Sequence, residues 1–399
     1  MTGRHVDDDH RRRLLVARQL LGPIGRGGRS IDEVVGALAL VHSTDPATPY
    51  LSVAARSDAS AADIEAWCYD DRAMLRHTTI RRTVFVMPLD VVPLAHNAVN
   101  EPLVAKLRQL LLGWVEGSDD TTEPAAEFLA DTEEAVVGTL QERGAMSGTA
   151  LAEAVPALQL RFEPAPGKSW SKPMRITSKV LEILAAEGRV VRGRPTGADF
   201  TSAAWTWEAG EARLPDGIAP LPTDEALAGL VARYLVTFAP ATVTDLSWWT
   251  GTTKGRIRGA LGALGAVEVA LDDLTEPGFV LPDDDLDAPA TEGAAALLPG
   301  LDSTVMGWKQ RTWYVDDDPA AGLFDRNGNA GPTIWVDGRV VGVWTPRDDG
   351  EIATELVVDV GAEASAAIQA EVERISAWIG QVRVRWRYPT PITKRLVTG

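Results

Sequence analysis

With 399 residues the chain exceeds one ordinary hydrophobic core, so two to four domains are expected. No apolar run approaches the roughly 20 residues that cross a bilayer, and the Asp- and Arg-rich start lacks the apolar stretch of a signal peptide, which points to a cytoplasmic protein with no membrane partner. A lone Cys68 rules out an internal disulfide and a thiolate metal site, and the net charge of −17 weighs against nucleic acid, because neutralising phosphates needs Lys and Arg.

Residues 10–24 carry Leu14, Leu15, Leu20 and Leu21 at helical spacing and end near Gly22-Pro23. A Gly/Arg turn at 25–28 follows, without the spacing of a phosphate loop. Ser30 reads as the N-cap of a helix over 31–40, its hydroxyl satisfying a free helix N–H. Asp45-Pro46 marks a turn, since proline fixes φ and disfavours a helical residue before it. His42, Ser43 and Thr44 therefore close that helix at a turn that can aim His42 and Thr44 into one cleft. Histidine is the side chain best placed to exchange protons near neutral pH; the alternative is a histidine satisfied by backbone at a helix end. Residues 59–67 read as another helix, Thr83 to Met87 as a strand, and 88–116 as a long helix. Helix, helix, helix, strand is the order of a winged helix.

Small and acidic residues at 117–124 make a linker. Helices over 125–143, 149–155 and 176–187 follow, Gly188 ending the last, and strands 190–193 and 204–207 pair as a wing. A third copy runs from 223 to about 281: helices over 227–238, 241–250 and 254–264, the last capped by Thr252, then strands 267–271 and 279–281. Matching turn and helix spacing at 144–151 and 239–246 indicates degenerate internal repeats. In the last hundred residues, Asp337-Gly338 sits between two strands as a hairpin turn that tolerates positive φ. A strand over 353–360, a helix over 363–379 and a final strand over 382–386 complete a small β-rich, barrel-like domain. The fold class read from this pattern is α+β, with three tandem winged-helix (helix-turn-helix) domains over 1–120, 121–222 and 223–288 and a C-terminal β-domain over 289–399.

Charge is distributed unevenly along this pattern. Basic residues outnumber acidic ones over 161–194, whereas acid collects at 116–134 and 272–292. An acidic protein polarised in this way can hold DNA on one face. Lys168, Lys172, Arg175 and Lys179 lie before and on a second-domain helix and suit phosphate contact. Lys254, Arg256 and Arg258 lie on the expected recognition helix of the third domain. Arg81 and Arg82 flank the first-domain strand, and Trp308 is expected in an exposed loop, as a wedge against a base step.

The run Val41-His42-Ser43-Thr44-Asp45-Pro46 through Tyr50-Leu51-Ser52 and Ala55-Arg56 resembles the first domain of the AlkZ-like winged-helix DNA glycosylases. So do Ala239-Pro240 through Trp248-Trp249-Thr250-Gly251, Leu298-Pro299-Gly300-Leu301-Asp302, and the hairpin from Val336 to Trp344. Catalytic members carry Gln-x-Gln or Gln-x-Asp where this chain has His42-Ser43-Thr44. The resemblance implies a concave monomer embracing double-stranded DNA, and water attack on the N-glycosidic bond of alkylated or bulky purine adducts without metal or cofactor. It assigns His42 to hold or accept a proton from the water, Thr44 to hydrogen-bond it, and Asp45 to supply negative charge. The alternative is a non-catalytic winged-helix protein that binds DNA structurally or as a regulator.

Overall fold

The computed structural model describes residues 4–23, 26–118, 120–165, 167–169, 171–272, 274–291, 293–315 and 322–398; Gly25 of the Gly/Arg turn lies outside them. It shows a mixed α+β fold in which one arrangement of elements recurs three times. A helix leads into a two-residue strand, two further helices follow, and a hairpin closes the unit. The first copy has the helix Ile31–Ala37, strand Val41–His42, helices Ala47–Ala54 and Ala61–Tyr69, and hairpin Met74–Thr79/Thr83–Pro88. The second uses Ala125–Arg143, Met146–Ser147, Gly148–Ala154, Thr177–Glu187 and Val190–Pro195/Trp205–Ala209. The third uses Thr223–Phe238, Ala241–Thr242, Val243–Thr250, Lys254–Ala263 and Val267–Leu271/Gly278–Val280. In each copy the two-residue strand pairs antiparallel with the second strand of the hairpin, as Val41 with Val86, Met146 with Trp207 and Ala241 with Phe279.

Local chemistry accounts for where these helices begin and end. Ser30 with Glu33, Ser60 with Asp63 and Thr242 with Asp245 each form a reciprocal capping box that satisfies two free N–H groups. The third-unit helix Lys254–Ala263 is capped by Thr253, one residue later than the expected Thr252. Gly188, at φ 79, ends Thr177–Glu187 in the left-handed conformation that glycine adopts without strain.

A 25-residue helix, Val92–Glu116, follows the first hairpin and packs against Thr177–Glu187 and Thr223–Phe238, so it joins all three units. One apolar cluster runs from Val6 through Phe238 to Ile392; a second joins Val34, Tyr50 and Trp67 to Ala295, Trp344 and Ile375; a third lies within the second unit and the end of the long helix. At the seam between the first unit and the C-terminal part, Arg56 is fully buried against Asp302. Its Nη2 lies 2.8 Å from Oδ1 and its Nη1 3.0 Å from Oδ2, and Ser52 Oγ donates to the same carboxylate at 2.6 Å. The strand His5–Val6, absent from the sequence reading, runs parallel to Val267–Leu271.

The C-terminal part departs from the expected barrel. Among the described residues it is an open four-stranded antiparallel sheet in the order Ala295–Leu298, Thr333–Val336, Arg339–Pro346, Ile352–Leu356, with the helix Gly361–Ile379 packed on it. Asp337 (φ 47) and Gly338 (φ 77) make the hairpin turn as expected. No strand forms over 382–386: Val384 and Trp386 are buried in alternation, but Arg387 N–H donates to Asp45 and Trp386 Nε1 to Thr345 instead of joining a ladder. A further helix, Pro391–Thr398, ends the described chain. No described helix is long and apolar enough to cross a membrane.

Candidate functional site

The helix carrying Ser30 ends earlier than expected, at Ala37, and Ala39 turns the chain through φ 57, so His42 lies on a strand and not on a helix end. Pairing with Thr83–Pro88 sets His42 opposite Phe85, whose ring meets the imidazole edge-on with centroids 5.4 Å apart. His42 is 9% exposed, and burial, reinforced by the nearby Arg81 charge, lowers its pKa to about 3. The ring is therefore neutral at physiological pH. Thr44 N–H approaches His42 Nδ1 at 3.4 Å. A nitrogen that accepts carries no proton in neutral imidazole, which places the proton on Nε2 as a donor.

The neighbours of His42 are held by other elements. Arg76, buried on Met74–Thr79, donates from Nη1 to Ser43 Oγ at 2.6 Å, and its guanidinium lies over the Trp205 ring of the second unit at 4.0 Å. Asp45, expected to lend negative charge to the chemistry, accepts from Ala47 N–H at 3.1 Å and Arg387 N–H at 2.8 Å, so each oxygen receives a backbone donor. Burial raises its pKa and these bonds oppose the rise. It is a turn former that also anchors the C-terminal segment.

His42 opens onto a cleft of about 420 Å³. Arg81 and Thr83 line it from the first unit, Trp248 from the third, and Met306, Lys309, Arg311 and the turn Asn327-Gly328-Asn329 from the C-terminal part. No carboxylate appears among these lining residues. Arg81 and Arg82 both sit at positive φ, 51 and 62, a conformation that costs most non-glycine residues and that splits their directions. Arg81 turns into the cleft, its guanidinium 4.3 Å over the Trp248 ring. Arg82 pairs with Glu182 of the second unit, Nη2 to Oε2 at 2.8 Å.

The remaining basic residues divide between exposed and engaged. Lys168, Lys172 and Arg175 are exposed around the small pairing of Arg161–Phe162 with Met174–Arg175 and form no ion pair among the described residues. Lys179 shares Glu182 with Arg82, at 3.4 Å. On the third-unit helix, Lys254 donates to Thr244 at 2.6 Å, Arg256 reaches Asp224 at 3.3 Å, and Arg258 is exposed beside a larger hollow of about 530 Å³ that holds no residue of the His42 cleft. None of these seven lines the cleft. Trp308 is not an exposed wedge: it is 2% exposed, donates from Nε1 to Phe238 O at 3.1 Å, and packs edge-on against Phe238 and Trp313. An indole of that size gains more by burial with its one donor satisfied than at a loop tip.

Sequence reasoning passed over Lys309, Arg311, Asn327 and Asn329, which stand beside the motif only in three dimensions. Asp-Arg-Asn-Gly-Asn at 325–329 is turn chemistry and was open to being read as a loop, although nothing in it pointed to His42. Burial pushes the Cys68 thiol up to about 12, so it is unreactive. No group of three or more His, Cys, Asp or Glu among the described residues is placed to hold a metal ion.

Comparison with known proteins bears on this geometry. No curated protein sequence matches the chain. The solved structure of Streptomyces sahachiroi DNA glycosylase AlkZ superposes with a TM-score of 0.70 at 22% identity, over 96% of this chain and 99% of that one, a likeness of fold. The family model described as DNA glycosylase AlkZ-like matches residues 35–378, which takes in the His42 strand, the first unit from within its opening helix, the other two units and the C-terminal sheet, and the chain therefore belongs to the AlkZ-like DNA glycosylases.

Proposed function

We propose that this protein binds duplex DNA as a monomer and excises purines whose N7 or N3 is alkylated or carries a bulky adduct, by water attack on the N-glycosidic bond. One observation carries the reading: a neutral imidazole sits at the wall of a cleft to which the first unit, the third unit and the C-terminal part all contribute. A purine made cationic by alkylation leaves without protonation, so the site needs a placed water more than a strong acid or base. With a pKa near 3, His42 is too weak a base to take the proton at neutral pH. In this reading its Nε2–H orients the water, as the N–H of a neutral amide would, Thr44 supplies the second hydrogen bond, the water's proton passes to solvent as the C1′–N bond breaks and the base leaves neutral, and Asp45 fixes the turn that carries them.

In this proposal the three repeated units are winged helices extending over about 1–120, 121–222 and 223–288, followed by a C-terminal domain over 289–399; the recurring helix, short strand, two helices and hairpin support that reading. Lys168, Lys172, Arg175, Lys179, Lys254, Arg256, Arg258 and Arg82 then contact the backbone around the lesion, and Trp308 serves the core. The test is release of N7-methylguanine from duplex DNA, followed as alkali-sensitive strand breaks. Release that falls on His42→Ala substitution while DNA affinity persists supports the assignment; undiminished release moves the chemistry elsewhere.

A second reading is favoured by the cleft lining itself. A developing sugar cation is best stabilised by negative charge, and Arg81 and Lys309 offer the opposite. A protein that binds DNA without cutting the glycosidic bond fits that lining. It gives measurable duplex affinity and no breaks with any alkylated substrate.

A further inference from the structure

We propose that the mouth of the His42 cleft is a phosphodiester clamp, in which Arg81 and Lys309 grip one backbone phosphate and Trp248 holds the Arg81 guanidinium flat. The inference deepens the DNA reading above and rests on it.

In a chain of net charge −17, many arginines are already committed to carboxylates. Arg82 pairs with Glu182, Arg194 with Glu65 and Asp70, Arg108 with Glu133 and Glu187, and Arg385 with Asp348. Arg81 and Lys309 differ: both are exposed, and neither side chain pairs with a carboxylate among the described residues, although the Lys309 backbone N–H donates to Asp245 at 3.0 Å. The acid closest in sequence to the asparagine rim, Asp325, is occupied within its own turn. It accepts from Asn327 N–H at 2.8 Å, Asn329 N–H at 2.9 Å and Asn329 Nδ2 at 2.9 Å. Arg311 is engaged elsewhere, its guanidinium 3.6 Å over the Phe324 ring.

The backbone spends strain to hold this arrangement. Two consecutive arginines adopt left-handed φ at 81 and 82, and the outcome is to send Arg81 inward and Arg82 to its ion pair. Gly251 leaves room for Arg81: a Cβ there would approach Arg81 Cγ to 2.9 Å. Stacking on Trp248 leaves the guanidinium edge, with its donors, free to face an anion, and the Asn327 and Asn329 amides and Thr83 hydroxyl add neutral donors around it. A cleft with cations at its mouth, neutral donors on its walls and no acid among its described lining residues matches a phosphate monoanion.

The experiment measures affinity of the full chain for a short duplex containing one tetrahydrofuran abasic analogue, across a series of KCl concentrations. Arg81→Ala and Lys309→Ala are each expected to flatten the slope of log Kd against log salt by about 0.9, one phosphate contact apiece. Arg385→Ala sets the scale for losing a surface charge already paired. Unfolding midpoints are measured alongside, and Arg81→Lys, which keeps the charge, is expected to restore most of the slope. Wild-type slopes in folded Arg81→Ala and Lys309→Ala proteins overturn the clamp, even if base release is observed. Flattened slopes with no base release from any substrate leave the clamp standing and remove the glycosylase reading. Absence of duplex binding by the wild-type chain at low salt overturns both.

Discussion

At His42 a strand register and a neighbouring charge decide what the side chain can do. Opposite Phe85 and near Arg81 it stays neutral, so base release is expected to show no titration limb from this residue between pH 5 and 8. A rate profile with an inflection near 6.5 that vanishes in His42→Ala would contradict that. Removing the imidazole should slow release about 100-fold, the usual cost of losing one oriented donor, with little change in Kd. His42→Gln restores a neutral hydrogen-bonding group and should recover much of the loss, as single-turnover assays can read. The motif was legible because its residues are contiguous and end in Asp-Pro. Lys309, Asn327 and Asn329 were not, because no local pattern links them to a strand some 270 residues earlier. Trp308 shows a different failure: the sequence reading puts it in an exposed loop, whereas it is buried, as tryptophan on average is.

Elements were legible where their ends carry their own chemistry. Capping boxes at Ser30, Ser60 and Thr242, the left-handed Gly188 and the Asp337-Gly338 turn all lie in or beside segments whose existence the sequence discloses. The helix Ala47–Ala54 and the strand Met74–Thr79 escaped because every residue in each is buried, which erases the polar half of the period. Two-residue strands such as Val41–His42 have no period at all. The alternation at 382–386 is real, but without ladder partners it makes an extended segment and not a strand. Two substitutions test how elements are joined. Gly251→Ala combines a positive φ of 74 with a close approach to Arg81, and is expected to cost about 1 kcal/mol in urea unfolding and to weaken DNA binding as Arg81→Ala does. Asp302→Ala leaves the buried Arg56 without a counter-charge and should cost about 3–5 kcal/mol, whereas replacing both partners by apolar side chains should cost much less.

Across the whole molecule, two buried histidines make stability depend on acid. Burial lowers His42 and His77 to about 3, against an ordinary 6.5, with His96 and Arg192 adding to the effect at His77. Between these values the unfolded chain binds protons that the folded chain refuses. Their contribution is therefore fully present above pH 6.5 and declines as pH falls toward 3, by about 1.4 kcal/mol per pH unit for each ring. Urea titrations at pH 7 and pH 5 should show the loss, and His77→Gln should reduce it. Net charge does not describe the cleft, since an overall excess of acid coexists with a cleft that has none among its described lining residues. The strand His5–Val6 has a consequence for how the protein is handled at the bench. It covers one border of Val267–Leu271, and the partner on the other border is Gly278–Val280. Trimming the first six residues would bare a row of hydrogen-bonding groups that a second copy could occupy. Light scattering on such a shortened protein should then find larger species than the intact protein gives under the same conditions.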